Sequence, residues 1–405
     1  MLKVHVPSFL ILLLTLSVIA NVAIEGMYFI YPKTALISIV RSSLGLTTLV
    51  ATLFLLFKFY RHTNFYLFLL ITSLAISYAF LRLALNSQLV LMPGLTNVNL
   101  INGLGLAMVV LLGTGRSSES NDMALKWLPV WLNCIGLICI VLVIYEQQSL
   151  ILSFKKPLGE SVRYNQDVST MFSIFSLNAF LSAVRNKTRK GFKFQFVLGM
   201  VFTYFALQGG GRGEFLALLV LSTFLFLKSV QFKKSLLFYS TLVISVAAVF
   251  LPDSIFSRLE FLVFNIGENA RVDYYRQSII ALFTSSKALF GFGFGPFSNP
   301  EFPDYLRSVT VHNSLLDMYL TFGLLMGTIL LFFFILGVNT WRKTIPYKGL
   351  PGYCIAFLFL ISLKSGDFSS GIIFFPMMSF ITIGVRYILP AFFQNERRTF
   401  KKALI

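Results

Sequence analysis

Charge is scarce in this chain. Only 12% of the 405 residues are Asp, Glu, Lys or Arg, 56% are hydrophobic and the mean hydropathy is +0.78, too apolar for a soluble protein of this size. Cysteine is scarce too: Cys134, Cys139 and Cys354 all lie inside apolar stretches, so neither a disulfide framework nor a metal site is expected. The short alternating segments of an outer-membrane barrel are missing. In their place stand apolar runs of about 15 to 25 residues, near the roughly 20 that a helix needs to cross a hydrocarbon core. No stretch reads as a separate soluble domain, and no inverted repeat of the kind found in many secondary transporters is visible. No small-residue cleavage site follows the apolar run from Phe9 to Ala20, so that run is expected to be a first span and not a removed signal. Acidic residues number 16 against 34 basic ones, a formal charge of +18. In a membrane protein such an excess reflects basic loops kept on the cytoplasmic side, and nucleic acid is not expected as a partner.

What is there is an all-α integral membrane protein of about 12 transmembrane helices, whose directions the basic clusters fix. The strongest inner signal is Arg185, Lys187, Arg189, Lys190 and Lys193. Counting from it gives spans one to nine over residues 1–251, a large outer loop over 252–311, spans ten to twelve over 312–390 and a basic cytoplasmic tail over 391–405. Both termini are then cytoplasmic. Arg82 to Asn97 reads as an outer loop, and two short spans, near 194–207 and 215–227, form a hairpin with Arg212 at its outer tip. In the large loop Arg258, Arg271, Arg276, Lys287 and Arg307 are nearly balanced by acidic residues, as suits an external segment.

Three basic residues converge on the outer side of this topology: Arg212, Arg271 and His312. Around Arg212, the glycines Gly209, Gly210, Gly211 and Gly213 allow close approach of backbone N–H groups, and the helix that follows presents its positive end. A guanidinium adds a permanent fork of donors suited to phosphate oxygens. The plainer reading is a tight hairpin with a snorkelling arginine. Arg271 opens a segment whose Ile279, Ile280, Leu282 and Phe283 read as a helix on the membrane surface; alternatively it belongs to a solvated charge run, paired with Glu268 or Asp273. His312 is the only histidine on the outer side. Its neutral imidazole can accept a proton from a hydroxyl, although a histidine at a helix start is also a common interfacial or capping residue. The segment Gly291-Phe-Gly-Phe-Gly-Pro-Phe297 follows no strand and lacks Lys-Ser or Lys-Thr, so it is not a nucleotide phosphate loop. Its aromatics could pack at the bilayer interface or stack on sugars.

Taken in order, Gly211-Arg212-Gly213 opening a span, Ala270-Arg271, Phe290-Gly-Phe-Gly-Phe-Gly295, His312-Asn313-x-x-Leu316 and Phe322-Gly-Leu-Leu-Met-Gly327 resemble the bacterial O-antigen polymerase and O-antigen ligase superfamily. Span count and topology fit as well. One departure is Gly211, where a serine commonly precedes the arginine; this removes a hydroxyl donor and leaves the phosphate role intact. The resemblance implies glycan transfer at the periplasmic face of the bacterial inner membrane from an undecaprenyl-diphosphate-linked donor, with no metal and no other cofactor. It implies that Arg212 and Arg271 bind the diphosphate, that His312 takes the proton of the acceptor hydroxyl, and that Arg276, Arg307, Gly211 and Gly213 are lesser candidates for phosphate or glycan contacts. It also raises a polysaccharide chain-length regulator as a partner. The glycine-rich loop and the His-Asn-x-x-Leu helix favour the polymerase over the ligase, whose acceptor is lipid A core. The rival of another class is a lipid-linked oligosaccharide flippase, which would line a cavity with ionisable residues inside its spans.

Overall fold

The computed structural model describes residues 35–59, 63–85, 97–112, 120–147, 154–155, 161–162, 166–186, 189–209, 212–227, 270–295, 313–344 and 371–388, with isolated positions at 13, 16, 19, 20, 297, 302, 353, 356–358, 360 and 361. Apart from one two-residue pair of strands, the described elements are helices. They are α1 (Ala35–Phe59), α2 (Thr63–Leu85), α3 (Asn97–Leu112), α4 (Ser120–Gln147), β1 (Phe154–Lys155), β2 (Ser161–Val162), α5 (Gln166–Arg185), α6 (Arg189–Gln208), α7 (Arg212–Leu227), α8 (Ala270–Thr284), α9 (Ser314–Thr344) and α10 (Gly371–Ile388). Four stretches are long and apolar enough to cross a bilayer: Asn64–Leu85, Trp127–Tyr145, Asp167–Arg185 and Ser314–Trp341. Shorter apolar helices occupy Ser42–Leu55, Ile101–Leu111, Gly213–Phe226 and Ile373–Ile388. The chain is a helical membrane protein, since helices satisfy their own backbone groups where no water can.

Two expectations change. The span expected to end before Arg82 continues to Leu85, so Arg82 is a helical residue and not the start of a loop. The span expected near 194–207 begins at Arg189, inside the basic cluster, because the long Arg and Lys side chains can reach outward while their backbone stays helical.

The helices fall into two compact units. One contains α4, α5, α6, α7 and the β pair; the other contains α2, α3, α8, α9 and α10. In the first, α5 is the central helix, buried on every side from Val168 to Leu181 except at Thr170, and packed against α4, α6 and α7. Aromatic rings fill the gaps, with Phe175 against Phe202 and Phe180 against Phe226. Small and amide side chains supply the polar contacts. Ser176 Oγ lies 2.7 Å from Thr203 Oγ1 and donates to the Gly199 carbonyl, while Ser169 Oγ donates to that of Ala206. Asn178 Nδ2 donates to Pro129 O at 2.9 Å and to Asn133 Oδ1 at 2.7 Å, and Asn133 Nδ2 passes the chain on to Gln195 Oε1 at 2.8 Å. One amide relay therefore ties three helices together. Replacing Asn178 by leucine is expected to cost about 1–2 kcal/mol, because two acceptors lose a donor inside an apolar bundle. A fall of several degrees in the melting temperature of the detergent-solubilised protein checks it; an unchanged value would mean the relay is not a stabilising contact.

In the second unit α10 lies against α9, α3 and α2. Its contact with α9 is close enough to leave no room for side chains: Gly337 faces the Phe380 carbonyl and Gly384 faces that of Phe333. Such small-residue crossings are a common way for helices to pack in a bilayer, where burial of apolar surface gives no advantage over lipid. Trp341 and Phe334 meet the Phe380 ring edge-on at 5.4 and 5.7 Å beside it. Arg386 donates to Asn64 Oδ1, and Ser379 Oγ donates to the Ala107 carbonyl, which tie α10 to α2 and α3.

Candidate functional site

The glycine-aromatic segment is an insert in a broken helix. At Gly323, the tenth residue of α9, φ is 78° and ψ is 172°, so the helical ladder stops. In an unbroken helix the Leu324 N–H would bond Leu320 O and the Leu325 N–H would bond Thr321 O. All four of these groups are taken up by the segment that precedes α9. Phe292 N donates to Leu320 O at 2.7 Å and Gly293 N to Thr321 O at 3.1 Å, while Leu324 N donates to Ala288 O at 2.9 Å and Leu325 N to Leu289 O at 3.2 Å. Orphaned in lipid, such groups would cost several kcal/mol each.

Glycine is required because backbone meets backbone. Gly291 has φ 82°, and a Cβ there would strike the Thr321 carbonyl and lie 2.5 Å from Gly323 N. Gly293, with φ 87°, rests on the last turns of α2, where a Cβ would come within 2.6 Å of Leu83 N and 2.7 Å of Ala79 O. The same turns hold the segment by its carbonyls. Tyr78 donates its hydroxyl to Phe290 O at 2.7 Å, and Arg82 donates Nε and Nη2 to Gly291 O at 3.0 and 2.9 Å. The Arg82 guanidinium also lies over the Phe290 ring, 5.9 Å from its centre. Phe292, Phe294 and Phe297 are buried, Phe294 against Phe80, Phe322 and Phe374, and Phe292 and Phe297 against Phe302. Neither expected role, at the bilayer interface or on a sugar, fits those three rings, which are buried against other rings of the protein; Phe290 alone among the loop's phenylalanines is exposed.

This insert joins α8 to α9. Leu282 packs in one cluster with Leu320, Phe292, Phe297 and Phe302, flanked by Tyr274, Ala281, Leu316 and Tyr319, so α8 lies along the first part of α9. Because α8 leads into the insert and α9 runs up to its break, both helices run toward Gly323. Their N-terminal ends therefore lie on the same side of the break. Arg271 is the second residue of α8. The end of α9 is capped by Asn313, whose Oδ1 accepts from Leu315 N and Leu316 N at 3.1 Å, so the capping role open to His312 is filled by its neighbour. His312, Arg307 and Gly211 lie outside the described residues, as do the side chains of Arg212 and Arg271. Arg276 is exposed on α8, on an outward face with Val272, Ile279, Ile280 and Phe283, whereas Leu282, expected on the same apolar side, is buried against Leu320 and Phe292.

Arg212 stands at the first position of α7, in the other unit, so the helix expected after the glycine-arginine turn is present and Gly213 is its second residue. A feature missed in the sequence is Glu214, buried in the same first turn, which already sets an acidic side chain at that helix end. That carboxylate opposes the positive end of the helix dipole. Asp273 and Asp317 stand likewise in the first turns of α8 and α9. Arg82 and Tyr78 were also missed, although their spacing of four residues in an apolar run places them on one helix face.

No protein-family model matches the chain, and neither does any curated protein.

Proposed function

We propose that the protein is an O-antigen or related surface-polysaccharide polymerase, joining undecaprenyl-diphosphate-linked repeat units at the periplasmic face of the bacterial inner membrane. The observation that carries this reading is that the glycine insert braces the two helices whose starts bear Arg271 and adjoin His312, the order in which the resembling family carries its site. The full chain then has about 12 spans, with 252–311 as the periplasmic loop and both termini cytoplasmic.

The reaction asks little of the protein beyond charge and a base, because a lipid diphosphate is already an activated leaving group. Arg212 and Arg271 bind and neutralise the diphosphate, with Arg276 and Arg307 as further cations along the loop. His312 takes the proton of the acceptor hydroxyl as its oxygen attacks the donor's anomeric carbon. The bond from that carbon to the diphosphate oxygen breaks, one glycosidic bond forms, and undecaprenyl diphosphate leaves. Direct displacement inverts the anomeric centre, and retention in the product linkage would contradict it. Where α4, α5 and α6 meet, the buried polar side chains Asn133, Asn178, Ser176 and Thr203 are neutral and bonded to neighbouring helices, which suits an enzyme's scaffold better than the ionisable cavity lining of a flippase.

Deleting the gene in its host and complementing with His312→Ala tests the assignment. The expected result is lipid A core carrying one repeat unit, with the polymer ladder lost. Loss of every unit from lipid A core while polymer accumulates on the lipid carrier would identify the ligase.

A further inference from the structure

Arg82 lies within the candidate span Asn64–Leu85, where an ionisable side chain is costly to keep unless it is used. It spends two N–H groups on a single backbone carbonyl, that of Gly291, at the midpoint of the residues that fill the break of α9. One helical turn earlier Tyr78 holds the carbonyl before it, and Gly293 touches the α2 backbone itself. The insert is thus gripped from two sides, by α9 through four backbone bonds and by α2 through three side-chain bonds. The backbone bonds fix its register along α9. The grip of α2, which Arg386 and Asn64 anchor to α10, fixes where the insert and the adjoining end of α8 sit across the unit.

We propose that Arg82 is a positioning residue for glycan transfer: by holding the Gly291 carbonyl it sets the separation between the N-terminal ends of α8 and α9, the one bearing Arg271 and the other following His312 in the chain. The proposal rests on the transferase reading above. The base acts on the acceptor hydroxyl while the cation holds the donor's diphosphate, and a misplacement of about 1 Å between them can lower turnover roughly 100-fold. Arg82 itself touches no reacting atom. Its loss therefore lowers kcat and leaves the donor KM within about threefold, since the cations remain present.

The test uses the full chain with Cys134, Cys139 and Cys354 replaced by serine and spin labels at Val272→Cys and Leu315→Cys, in wild-type, Arg82→Lys and Arg82→Met forms. Pulsed electron resonance reads the label separation, and transfer is assayed on the same proteins in proteoliposomes. The expected result is one narrow distance for wild type, a broadened or shifted one for Arg82→Met with kcat down 10- to 100-fold, and partial rescue by Arg82→Lys, which keeps a cationic donor but not the planar fork. Should Arg82→Met not accumulate, Arg82→Lys against wild type carries the same comparison. An unchanged distance together with an unchanged kcat, or a lowered kcat with no change in distance, would overturn the proposal alone. A wild-type protein with the narrow distance and no transfer would overturn the transferase reading, and the positioning role with it.

Discussion

Alanine at Gly291 is expected to remove most of the folded protein. The backbone there has φ 82°, which costs an ordinary residue about 1–2 kcal/mol before any contact is considered. The new methyl group would also meet the Thr321 carbonyl and the Gly323 nitrogen, neither of which can yield without moving α9. If the insert withdraws instead, Leu320 O, Thr321 O, Leu324 N and Leu325 N lose their partners together, at several kcal/mol each in an apolar setting. Either route exceeds about 4 kcal/mol, a large share of the roughly 5–15 kcal/mol that holds a typical protein folded. Size-exclusion yield and melting temperature in detergent check the outcome. Gly45→Ala is the control: nothing lies within 4 Å of its added Cβ and the residue is helical, so it should be neutral or stabilising by up to about 1 kcal/mol. Equal behaviour of the two variants would contradict the account of the insert.

A comparable loss is expected from valine at Gly337 or Gly384. These two glycines face one another across the crossing of α9 and α10, and a Cβ on either would run into the opposite carbonyl, of Phe380 or Phe333. No side-chain rotation relieves a clash with backbone, so the helices must separate. Separation would also loosen the edge-on contacts of Phe334 and Trp341 with Phe380. Because α10 also contacts α3 and α2, the change reaches the whole second unit. The same measurements apply, and the expected pattern is strict size dependence: alanine damaging, valine worse. A valine variant as stable as wild type would mean that the crossing is not the close contact described.

The spans were legible because length and hydropathy are properties of a single segment. Each of the eight apolar helices among the described residues falls where an apolar run does. What was illegible depends on two distant segments meeting. Gly323 sits in the run Phe322-Gly-Leu-Leu, where an isolated glycine reads as a tolerated helical residue; its break is set by an insert about thirty residues earlier in the chain. Arg82 read as the start of a loop because a charge commonly ends a span, and nothing local tells of the Gly291 carbonyl that lets the helix continue around it. Gly337 and Gly384 belong to different helices and form no motif at all. For the candidate site the residue types and their order come from the sequence, and His312, Arg307 and Gly211 lie outside the described residues. The structure adds the brace between α8 and α9, and it shows that three of the loop's phenylalanines serve packing and not sugar stacking.

The proposed activity is the formation of glycosidic bonds. The most direct measurement is to reconstitute the purified protein in proteoliposomes with an undecaprenyl-diphosphate-linked repeat unit from its host, and to follow glycan length and carrier release together. A polymerase gives products of two or more repeat units, one undecaprenyl diphosphate released per bond formed, and loss of both signals with His312→Ala. Glycan that changes only its side of the membrane, with its length intact and no carrier released, would contradict the account and establish a transporter.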